Sequence, residues 1–369
     1  MLRVLHVASH DINVGDGALN AVIRERVSAL AGTPVDFRLV DISTDPLDLT
    51  AEDVDAFDLV IVGGGGSISN DARSARNGIA LPMEPEEYAR SKTRFAFVGL
   101  GHNMFAGDDC EFRDALTTLI GRAAERGDPF SVRNDGSLDR LRRDLGADVA
   151  ATVHEVPDPG ALFDAPPLPP ETVRDRPYAL IQLAGDRKGD RIGPHAEHQS
   201  RFIDAMAGHA LRLWRDHGLD ILIAPHIFLD ARLSTALLTT LYARARPGGR
   251  DRPFRMGGTP HPMHARRFFG SYAAAELVIG MRGHAVICGV GLGRPVVALS
   301  THPKLAGFMS ACDLDPWTVV PSDALEAHLD RASGSLLGTG RAEYDSRREA
   351  ATRDFGARLD ALLMDALAR

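Results

Sequence analysis

Cysteine is scarce in this sequence: only Cys110, Cys288 and Cys312 occur among 369 residues. No two of them have the CxxC spacing, and three cysteines are too few to build a framework of disulfide bonds. Their scarcity excludes the small disulfide-stapled folds of secreted proteins. We expect the three side chains to be small buried hydrophobic groups in a protein of a reducing compartment.

Long hydrophobic runs are also missing. No stretch approaches the roughly 20 apolar residues that a membrane-spanning helix needs. The first apolar run, MLRVLHVA, is too short and too soon interrupted by polar residues for a signal peptide. We therefore predict a soluble, cytoplasmic protein without a membrane span.

Positive charge is not in excess, because 42 lysines and arginines stand against 50 aspartates and glutamates and leave a net charge of −8. Such a chain has no general attraction for nucleic acid or for an acidic membrane surface, so we predict no nucleic-acid partner. Any site for an anion must be built locally from a few positive side chains.

Aromatic residues make up only 6% of the chain, so the core must rely on alanine, leucine and valine. Short β-branched runs alternate with longer amphipathic segments, which is typical of an α/β protein. Runs such as DLVIV and RFAFV are apolar on both faces. This pattern suits parallel strands that are covered by helices on both sides of the sheet.

The alternation occurs twice, and the length of the chain suits two domains. We predict an N-terminal α/β domain over residues 1–165, a proline-rich linker over 166–176, a C-terminal α/β domain over 177–338 and a C-terminal helix over 339–369. Both domains are predicted to be Rossmann-like doubly wound sheets that face a central cleft, where two-domain α/β enzymes usually bind their ligands.

Three glycine-containing segments follow strands of the first predicted domain. NVGDGALN brings Asp16 to the start of a helix, where the loop either meets a ligand or is a tight turn capped by Asp16. GGGG contains Gly64 and Gly65, and a run of glycines suits a close approach to the backbone by a ligand or the other domain; a glycine-rich turn is the alternative. VGLGHN places His102 and Asn103 at a strand end, beside the glycines or as ordinary loop residues.

Two further strand ends carry a basic side chain. SVRNDGS places Arg133 where it either binds an anion or neutralises nearby carboxylates. APHIFLD places His226 at another strand end with Asp230 four residues on. This spacing suits an imidazole oriented by a carboxylate, or a turn with a helix cap.

The sharpest signal is the segment MRGHAVICGVGLGRPVVALSTHPK, in which Arg282 and His284 follow a buried strand and Lys304 follows the next strand. Arginine offers a planar fork that matches carboxylate or phosphate, histidine exchanges a proton near neutral pH, and lysine adds a point charge. Three such groups at consecutive strand ends predict a pocket for an anion. The histidines lack HxxxH or HxH pairing and no carboxylates cluster with them, so we predict no metal.

Together these motifs resemble the polysaccharide pyruvyl transferases. The resemblance covers most of the chain and rests on NVGDGAL, DLVIVGGGG, VGLGHN, SVRNDGS, DPGALF and above all VIGMRGHAVICGVGLGRPVVALSTHPKLAGF. It implies a two-domain fold related to the GT-B glycosyltransferases. It also implies a transferase that moves pyruvyl from phosphoenolpyruvate onto two hydroxyls of one sugar, forming a cyclic ketal, in polysaccharide or glycoconjugate biosynthesis.

The resemblance assigns Arg282 and His284 to the binding and activation of phosphoenolpyruvate and Lys304 to the same pocket. Arg133 and His226 fall on motif positions of the family and are assigned to the donor as well. The loops of the first domain are assigned to the acceptor side, with Asp16, Gly64, Gly65, His102 and Asn103. The partners implied are phosphoenolpyruvate and a sugar or glycan-precursor acceptor, with no other cofactor.

The chain departs from the family pattern at three places. Gly17 stands where an acidic residue is common, and Asn134 stands where an aspartate usually follows the arginine. The strand YALIQLAG lacks the usual arginine at its end, where Arg187 or Lys188 is the candidate substitute. These differences leave the acceptor sugar and linkage open, including a nucleotide-bound, polymer-bound or small natural-product acceptor and a lipid-linked one at the membrane surface.

Two other functions stay open. One is a nucleotide-sugar glycosyltransferase of the GT-B type, in which the basic residues hold a diphosphate. The other is a non-catalytic homologue that binds an anion without turnover. The general base is open among His226, His102 and Asp16, and the sequence does not indicate an oligomeric state.

Overall fold

The computed structural model describes residues 1–10, 12–44, 48–105, 107–168, 176–246, 252–257 and 261–368. Its contacts divide the chain into two units. The first contains Met1–Ile12, Asp16–Phe163 and Arg353–Arg369, and the second contains Asn13–Gly15 and Asp164–Thr352. Most of the predicted linker, residues 169–175, lies outside the described residues.

Twelve strands of the described chain form two six-stranded sheets. The first sheet contains β1 Leu2–Ala8, β2 Val35–Asp41, β3 Leu59–Ile68, β4 Arg94–His102, β5 Phe130–Arg133 and β6 His154–Val156. The second contains β7 Tyr178–Gln182, β8 Asp220–Ile223, β9 Phe254–Met256, β10 Leu277–Gly280, β11 Val296–Leu299 and β12 Thr318–Val319. Every strand pairing in the two sheets is parallel, which confirms the predicted α/β fold.

Helices connect these strands. The α-helices are α1 Val14–Leu30, α2 Ala51–Asp55, α3 Pro85–Arg90, α4 Arg113–Arg126, α5 Ser137–Leu145, α6 Ala147–Ala150, α7 Lys188–Ile192, α8 Ala196–Asp216, α9 Ala231–Ala245, α10 Ala265–Ala273, α11 Gly283–Gly291, α12 Pro303–Ala311, α13 Leu325–Leu336, α14 Arg341–Thr352 and α15 Phe355–Leu367. Short 3₁₀ helices lie at Ala72–Ser74, Pro159–Leu162, Phe228–Asp230, Pro262–His264 and Asp315–Trp317. Within the described chain, no helix is long and apolar enough to cross a membrane.

Each sheet changes its direction of winding at one pair of neighbouring strands. The first sheet has the order β2-β1-β3-β4-β5-β6, and the second has the order β12-β11-β10-β7-β8-β9. The direction therefore reverses between β1 and β3 and between β10 and β7. In open α/β sheets, ligands bind beyond the carboxyl ends of the strands at such a point.

The central strands are apolar on both faces, as their sequences predict. Val60, Ile61, Phe95 and Phe97 of the first sheet are fully buried, as is Ile279 of the second. Because both faces are buried, most polar side chains are left to the strand ends, with His6 inside β1 as an exception.

The four glycines after DLVIV are not a turn. They continue β3, with Gly63 paired to Val98 and Gly65 paired to Leu100 of β4. Gly63, Gly64 and Gly65 have φ angles of 141°, 96° and 126°, which side chains rarely adopt. Glycine is needed here because the strand is kept in the sheet with an unusual backbone.

The predicted C-terminal helix is two helices, α14 and α15, and the chain rejoins the first unit at Arg353. Two ion pairs tie α15 to that unit: Arg26 Nη1 lies 2.8 Å from Asp360 Oδ2, and Arg94 Nη2 lies 3.2 Å from Asp365 Oδ2. All three cysteines are free thiols; Cys288 and Cys312 are buried and Cys110 is half-buried.

Candidate functional site

Four neighbouring strands of the second sheet, β11, β10, β7 and β8, end at one edge of that sheet. The predicted donor residues of this unit lie on the turns that follow three of them. Arg282 and His284 follow β10, Lys304 follows β11, and His226 follows β8. The fourth strand, β7, is followed by Asp186, to which the sequence assigned no role.

Arg282 is held by a buried carboxylate that the sequence predicted only as a possible partner of His226. Its Nε donates to Asp230 Oδ2 at 2.8 Å, and its Nη2 donates to Asp230 Oδ1 at 2.5 Å. Burial works to lower the pKa of Arg282, but the hydrogen bonds and charge of Asp230, followed by those of Asp186, outweigh it and raise that pKa. Arg282 is therefore a permanent positive charge in a fixed orientation.

Asp230 is itself fixed by the backbone around it. It is fully buried, and it accepts hydrogen bonds from the backbone amides of Gly185, His226 and Ile227. Gln182, at the end of β7, donates to the same carboxylate at 3.2 Å and accepts from the Arg282 amide at 2.8 Å. The orientation of Arg282 is thus set by three different strand ends.

His284 and Lys304 lie close to the Arg282 turn. His284 is buried in the first turn of α11 and packs on Gly15, at which a β-carbon would lie 2.4 Å from His284 Cβ. Lys304 is half-buried in the first turn of α12 and passes beside Gly283, at which a β-carbon would lie 3.3 Å from Lys304 Cε. The structure therefore brings together the three residues of the sharpest sequence signal.

His226 is fully buried beneath this edge. Its Nε2 shares a hydrogen bond of 2.6 Å with the Tyr272 hydroxyl, and its ring meets Phe268 and Phe269 edge-on. Burial, and then the charges of Arg282 and His284, lower its pKa well below the usual 6.5. His226 is thus a neutral imidazole, and a direct contact between it and a ligand stays a prediction.

The neutral His226 makes the stability of the protein depend on pH. The unfolded chain binds a proton at this histidine near pH 6.5, whereas the folded chain does not until much lower pH. The free energy of unfolding is therefore expected to fall as the pH drops below about 6.5, by up to about 1.4 kcal/mol per pH unit for one such group. His226→Gln should reduce this slope in urea unfolding measured at several pH values between neutrality and mild acid.

The matched control is His217→Gln, because His217 is exposed at the end of α8. It should leave the slope as in the wild type. An unchanged slope for His226→Gln would show that His226 takes up its proton in the folded protein.

Two residues are predicted as substitutes for the family's arginine at the end of β7, and neither is buried. Arg187 is exposed and pairs with Asp190 at 2.7 Å, and Lys188 begins the short helix α7. The buried guanidinium is that of Arg191, whose side chain is only 5% exposed and whose Nη1 donates to Thr301 Oγ1 at 3.2 Å. No sequence signal separated Arg191 from its neighbours, because burial here depends on the turn that precedes α7.

In the first unit, the predicted acceptor-side residues meet at the end of β3. A β-carbon at Gly64 would lie 1.8 Å from Asn20 Oδ1, and one at Gly65 would lie 3.5 Å from the Asp16 carboxylate. A β-carbon at Gly66 would lie 2.8 Å from Asn103 Cβ. Asp16 lies in the first turn of α1 and is half-buried.

Asp16 does not begin α1, which starts two residues earlier than its position suggests. The side chain of Asn13 accepts a hydrogen bond from the Gly15 amide at 2.9 Å, so Asn13 supplies the cap that was expected from Asp16. Asp16 does not cap the helix, and its carboxylate lies beside Gly65 in the glycine strand, the Gly63–Gly66 part of β3.

His102 and Arg133 are both buried and paired with carboxylates in the first unit. His102 Nε2 lies 2.9 Å from Asp144 Oδ2, and burial lowers the pKa of His102 against the opposing effect of Asp144. Arg133 forms ion pairs with Asp158 at 2.9 Å and Asp135 at 3.3 Å. These pairs match the expectation that Arg133 neutralises nearby carboxylates, and its contact with the donor stays a prediction.

No group of three or more histidines, cysteines, aspartates or glutamates among the described residues is arranged to hold a metal ion. The two edges offer a fixed guanidinium with a lysine and a histidine in one unit, and a carboxylate beside a glycine strand in the other. The first set suits an anion that carries carboxylate or phosphate groups. The second set suits a hydroxyl that must lose a proton.

Comparison with known proteins gives both a family and a fold. The model of the family described as polysaccharide pyruvyl transferase matches residues 13–303. No curated protein sequence matches the chain.

The solved structures that resemble it include UDP-GlcNAc 2-epimerase from Methanocaldococcus jannaschii in complex with UDP-GlcNAc and UDP, at 12% identity and a TM-score of 0.52 over 91% of this chain and 93% of that one. MnaA from S. aureus with UDP has 10% identity and a TM-score of 0.54 over 94% and 91%. The UDP-forming α,α-trehalose-phosphate synthase from Burkholderia xenovorans has 11% identity and a TM-score of 0.53 over 100% and 99%. At these identities the likeness shows the GT-B fold alone.

Proposed function

This chain belongs to the polysaccharide pyruvyl transferase family, and from that premise we propose that it transfers pyruvyl from phosphoenolpyruvate onto two hydroxyls of a sugar acceptor to form a cyclic ketal. The observation that carries the proposal is the state of Arg282. Its Nε and Nη2 are bonded to aspartates, whereas Nη1 donates no hydrogen bond within the described residues. A guanidinium held on one side and open on the other is suited to clamp an anionic donor.

The donor carries a carboxylate and a phosphate, and three residues of the second unit match these charges. Arg282 clamps one anionic group with a fixed fork, and Lys304 adds a point charge. We assign His284 as the proton donor, because it lies on the same turn as Arg282 and histidine is the side chain that most often transfers protons in enzymes. No metal is needed for this scheme.

The reaction follows from the electron-rich double bond of phosphoenolpyruvate. A proton adds to its methylene carbon, which becomes a methyl group, and positive charge develops at C2. One acceptor hydroxyl adds to C2 and loses its proton. The C2–O bond to phosphate then breaks, inorganic phosphate leaves with the bonding pair, and the second hydroxyl adds and loses its proton to close the ketal.

A base must take the proton of an acceptor hydroxyl, and Asp16 is the best suited of the three candidates. His226 is fully buried and bonded to Tyr272, and His102 is buried and bonded to Asp144. Asp16 is only half-buried and lies beside the glycine strand. We assign it the role of the base.

The test is the product formed from phosphoenolpyruvate and a panel of sugar acceptors, analysed by mass spectrometry. We expect an adduct of pyruvate less one water together with inorganic phosphate, and one deuterium in the new methyl group when the reaction runs in D₂O. A parallel arm supplies nucleotide sugars, because a glycosyltransferase would give a glycoside instead. A glycoside, or no consumption of phosphoenolpyruvate with any acceptor, would refute the proposal.

A further inference from the structure

A second aspartate, Asp186, lies between two buried guanidinium groups at the same sheet edge. Its Oδ1 accepts from Arg282 Nη2 at 2.5 Å, and its Oδ2 accepts from Arg191 Nη2 at 3.2 Å. Arg191 Nε also donates to the Asp186 carbonyl at 3.1 Å. One carboxylate is thus shared by two arginines that come from different strand ends.

Two buried arginines that bind the same carboxylate need an anion between them. Arg282 and Arg191 are almost fully buried, with side chains 11% and 5% exposed. Burial, the largest influence, lowers the pKa of Arg191, and the charge of Arg282 lowers it further against the opposing effect of Asp186. Without a negative charge at this position, the two like charges would repel each other in a poorly solvated place.

The two aspartates of the cluster differ in how they are held. Asp230 is fully buried and fastened by backbone amides, so it belongs to the framework. The Asp186 side chain is 27% exposed and reaches its position from a turn in which Arg187 has a φ of 45°. The preceding Gly185 is packed against the backbone of Leu229, which anchors the turn on one side. Asp186 is therefore the carboxylate that a ligand from solvent can replace.

The charges of the cluster support such a replacement. With Asp186 in place, the charges of Arg282, Arg191, Asp186 and Asp230 sum to zero. When Asp186 moves out, the remaining three groups of this cluster carry one net positive charge. Only the second state matches a small ligand with several negative charges.

We propose that Arg191 is a donor-binding residue and that Asp186 occupies the place of the donor's anionic group until the donor displaces it. The proposal rests on the proposed function, in that the donor is phosphoenolpyruvate, and the recognised chemistry is a phosphate or carboxylate placed between two guanidiniums. Thr301 orients Arg191 from the β11 turn that also carries Lys304. Arg191, Arg282 and Lys304 then lie on the segments that follow three neighbouring strands, β7, β10 and β11, of the second unit.

The experiment is equilibrium binding of phosphoenolpyruvate and of inorganic phosphate, measured separately by calorimetry without an acceptor. Asp186→Asn keeps the size and shape of the side chain and removes the negative charge that competes with the ligand. It should bind both ligands about tenfold more tightly if the open state of the wild type is populated about a tenth of the time. Arg191→Gln should bind both ligands at least about tenfold more weakly, and Arg191→Lys should fall between it and the wild type.

The matched control is Asp190→Asn, four residues further along the same segment, where the carboxylate is exposed and pairs with the exposed Arg187. It should bind like the wild type. If Arg191→Gln fails to fold by circular dichroism, Arg191→Lys still reports on the guanidinium. Equal or weaker binding by Asp186→Asn, or wild-type binding by both Arg191 variants, would overturn the proposal.

These outcomes separate this inference from the proposed function. One outcome is that the wild type makes no ketal while phosphate still binds most tightly to Asp186→Asn and most weakly to Arg191→Gln. In that case the anion site stands and the pyruvyl transfer is wrong. If ketal forms and neither ligand responds to the variants, the transfer stands and the displacement of Asp186 is wrong.

Discussion

Arg282→Lys is expected to lower pyruvyl transfer by about 10³-fold while the protein stays folded, because lysine keeps the charge but loses the planar fork. The two bonds from Nε and Nη2 to Asp230 fix the direction of the guanidinium, and an ammonium group cannot make both and still present a donor to the ligand. Loss of one preorganised donor to a developing charge typically costs 10²–10³ in rate. The measurement is the rate of phosphate release with a saturating acceptor.

The control for Arg282→Lys is Arg244→Lys in the same unit, since Arg244 forms an exposed pair with Asp204. It should keep the wild-type rate. A rate for Arg282→Lys within a few-fold of the wild type would mean that only the charge of Arg282 matters and not its geometry.

Asp230→Ala is expected to destabilise the protein by about 3–5 kcal/mol, because it leaves Arg282 as a buried charge without its main partner. It also removes the acceptor for the amides of Gly185, His226 and Ile227. Buried donors without a partner carry their own cost of desolvation. Urea unfolding followed by circular dichroism measures the loss, and activity should fall with it because Arg282 loses its orientation.

Asp204→Ala is the control for Asp230→Ala. Its carboxylate pairs with Arg244 at the surface, where the Asp204 side chain is 57% exposed. Such pairs contribute little to stability, so its unfolding curve should overlay that of the wild type. If Asp230→Ala also overlays the wild type, water must solvate Arg282 and the site is more open than its burial indicates.

The positions of the three predicted donor residues in the fold follow from a simple rule, whereas their role stays a prediction. Arg282, His284 and Lys304 each follow a buried apolar run, and the carboxyl ends of neighbouring parallel strands share one edge of a sheet. The structure brings these three together as the spacing indicates. The family match covers residues 13–303 and therefore includes Arg282 and His284 but ends one residue before Lys304.

The role of Asp230 was visible in the sequence only as a spacing of four from His226. Its partner Arg282 lies 52 residues away, and the two meet because β7 lies between β8 and β10. Local sequence patterns do not indicate the order of strands in a sheet. The segment around Asp230 therefore does not predict that Arg282 is its partner. The spacing predicts either a carboxylate that orients the His226 imidazole or a turn with a helix cap, and the bonds from the backbone amides of His226 and Ile227 to Asp230 match the second.

The glycine segment Gly63–Gly66 has a local sequence signal, but its secondary structure depends on a distant strand. Its composition predicts a close approach to the backbone by a ligand or the other domain, or else a glycine-rich turn, and the structure shows positive φ angles at Gly63, Gly64 and Gly65. A turn was the reasonable alternative, because glycine is costly inside a strand. The glycines form a strand because they pair with β4, whose residues lie about 35 positions further along the chain.

The sequence by itself determined the α/β class, the parallel strands and the positions of the positively charged groups, because apolar runs and strand ends are local features. Only the tertiary structure decided which charges face each other. It paired Arg282 with Asp230 and Asp186, and it buried Arg191 in place of Arg187. The physical reason is that the cost of a buried charge depends on neighbours brought in by strand order, and the amino-acid sequence does not show that order.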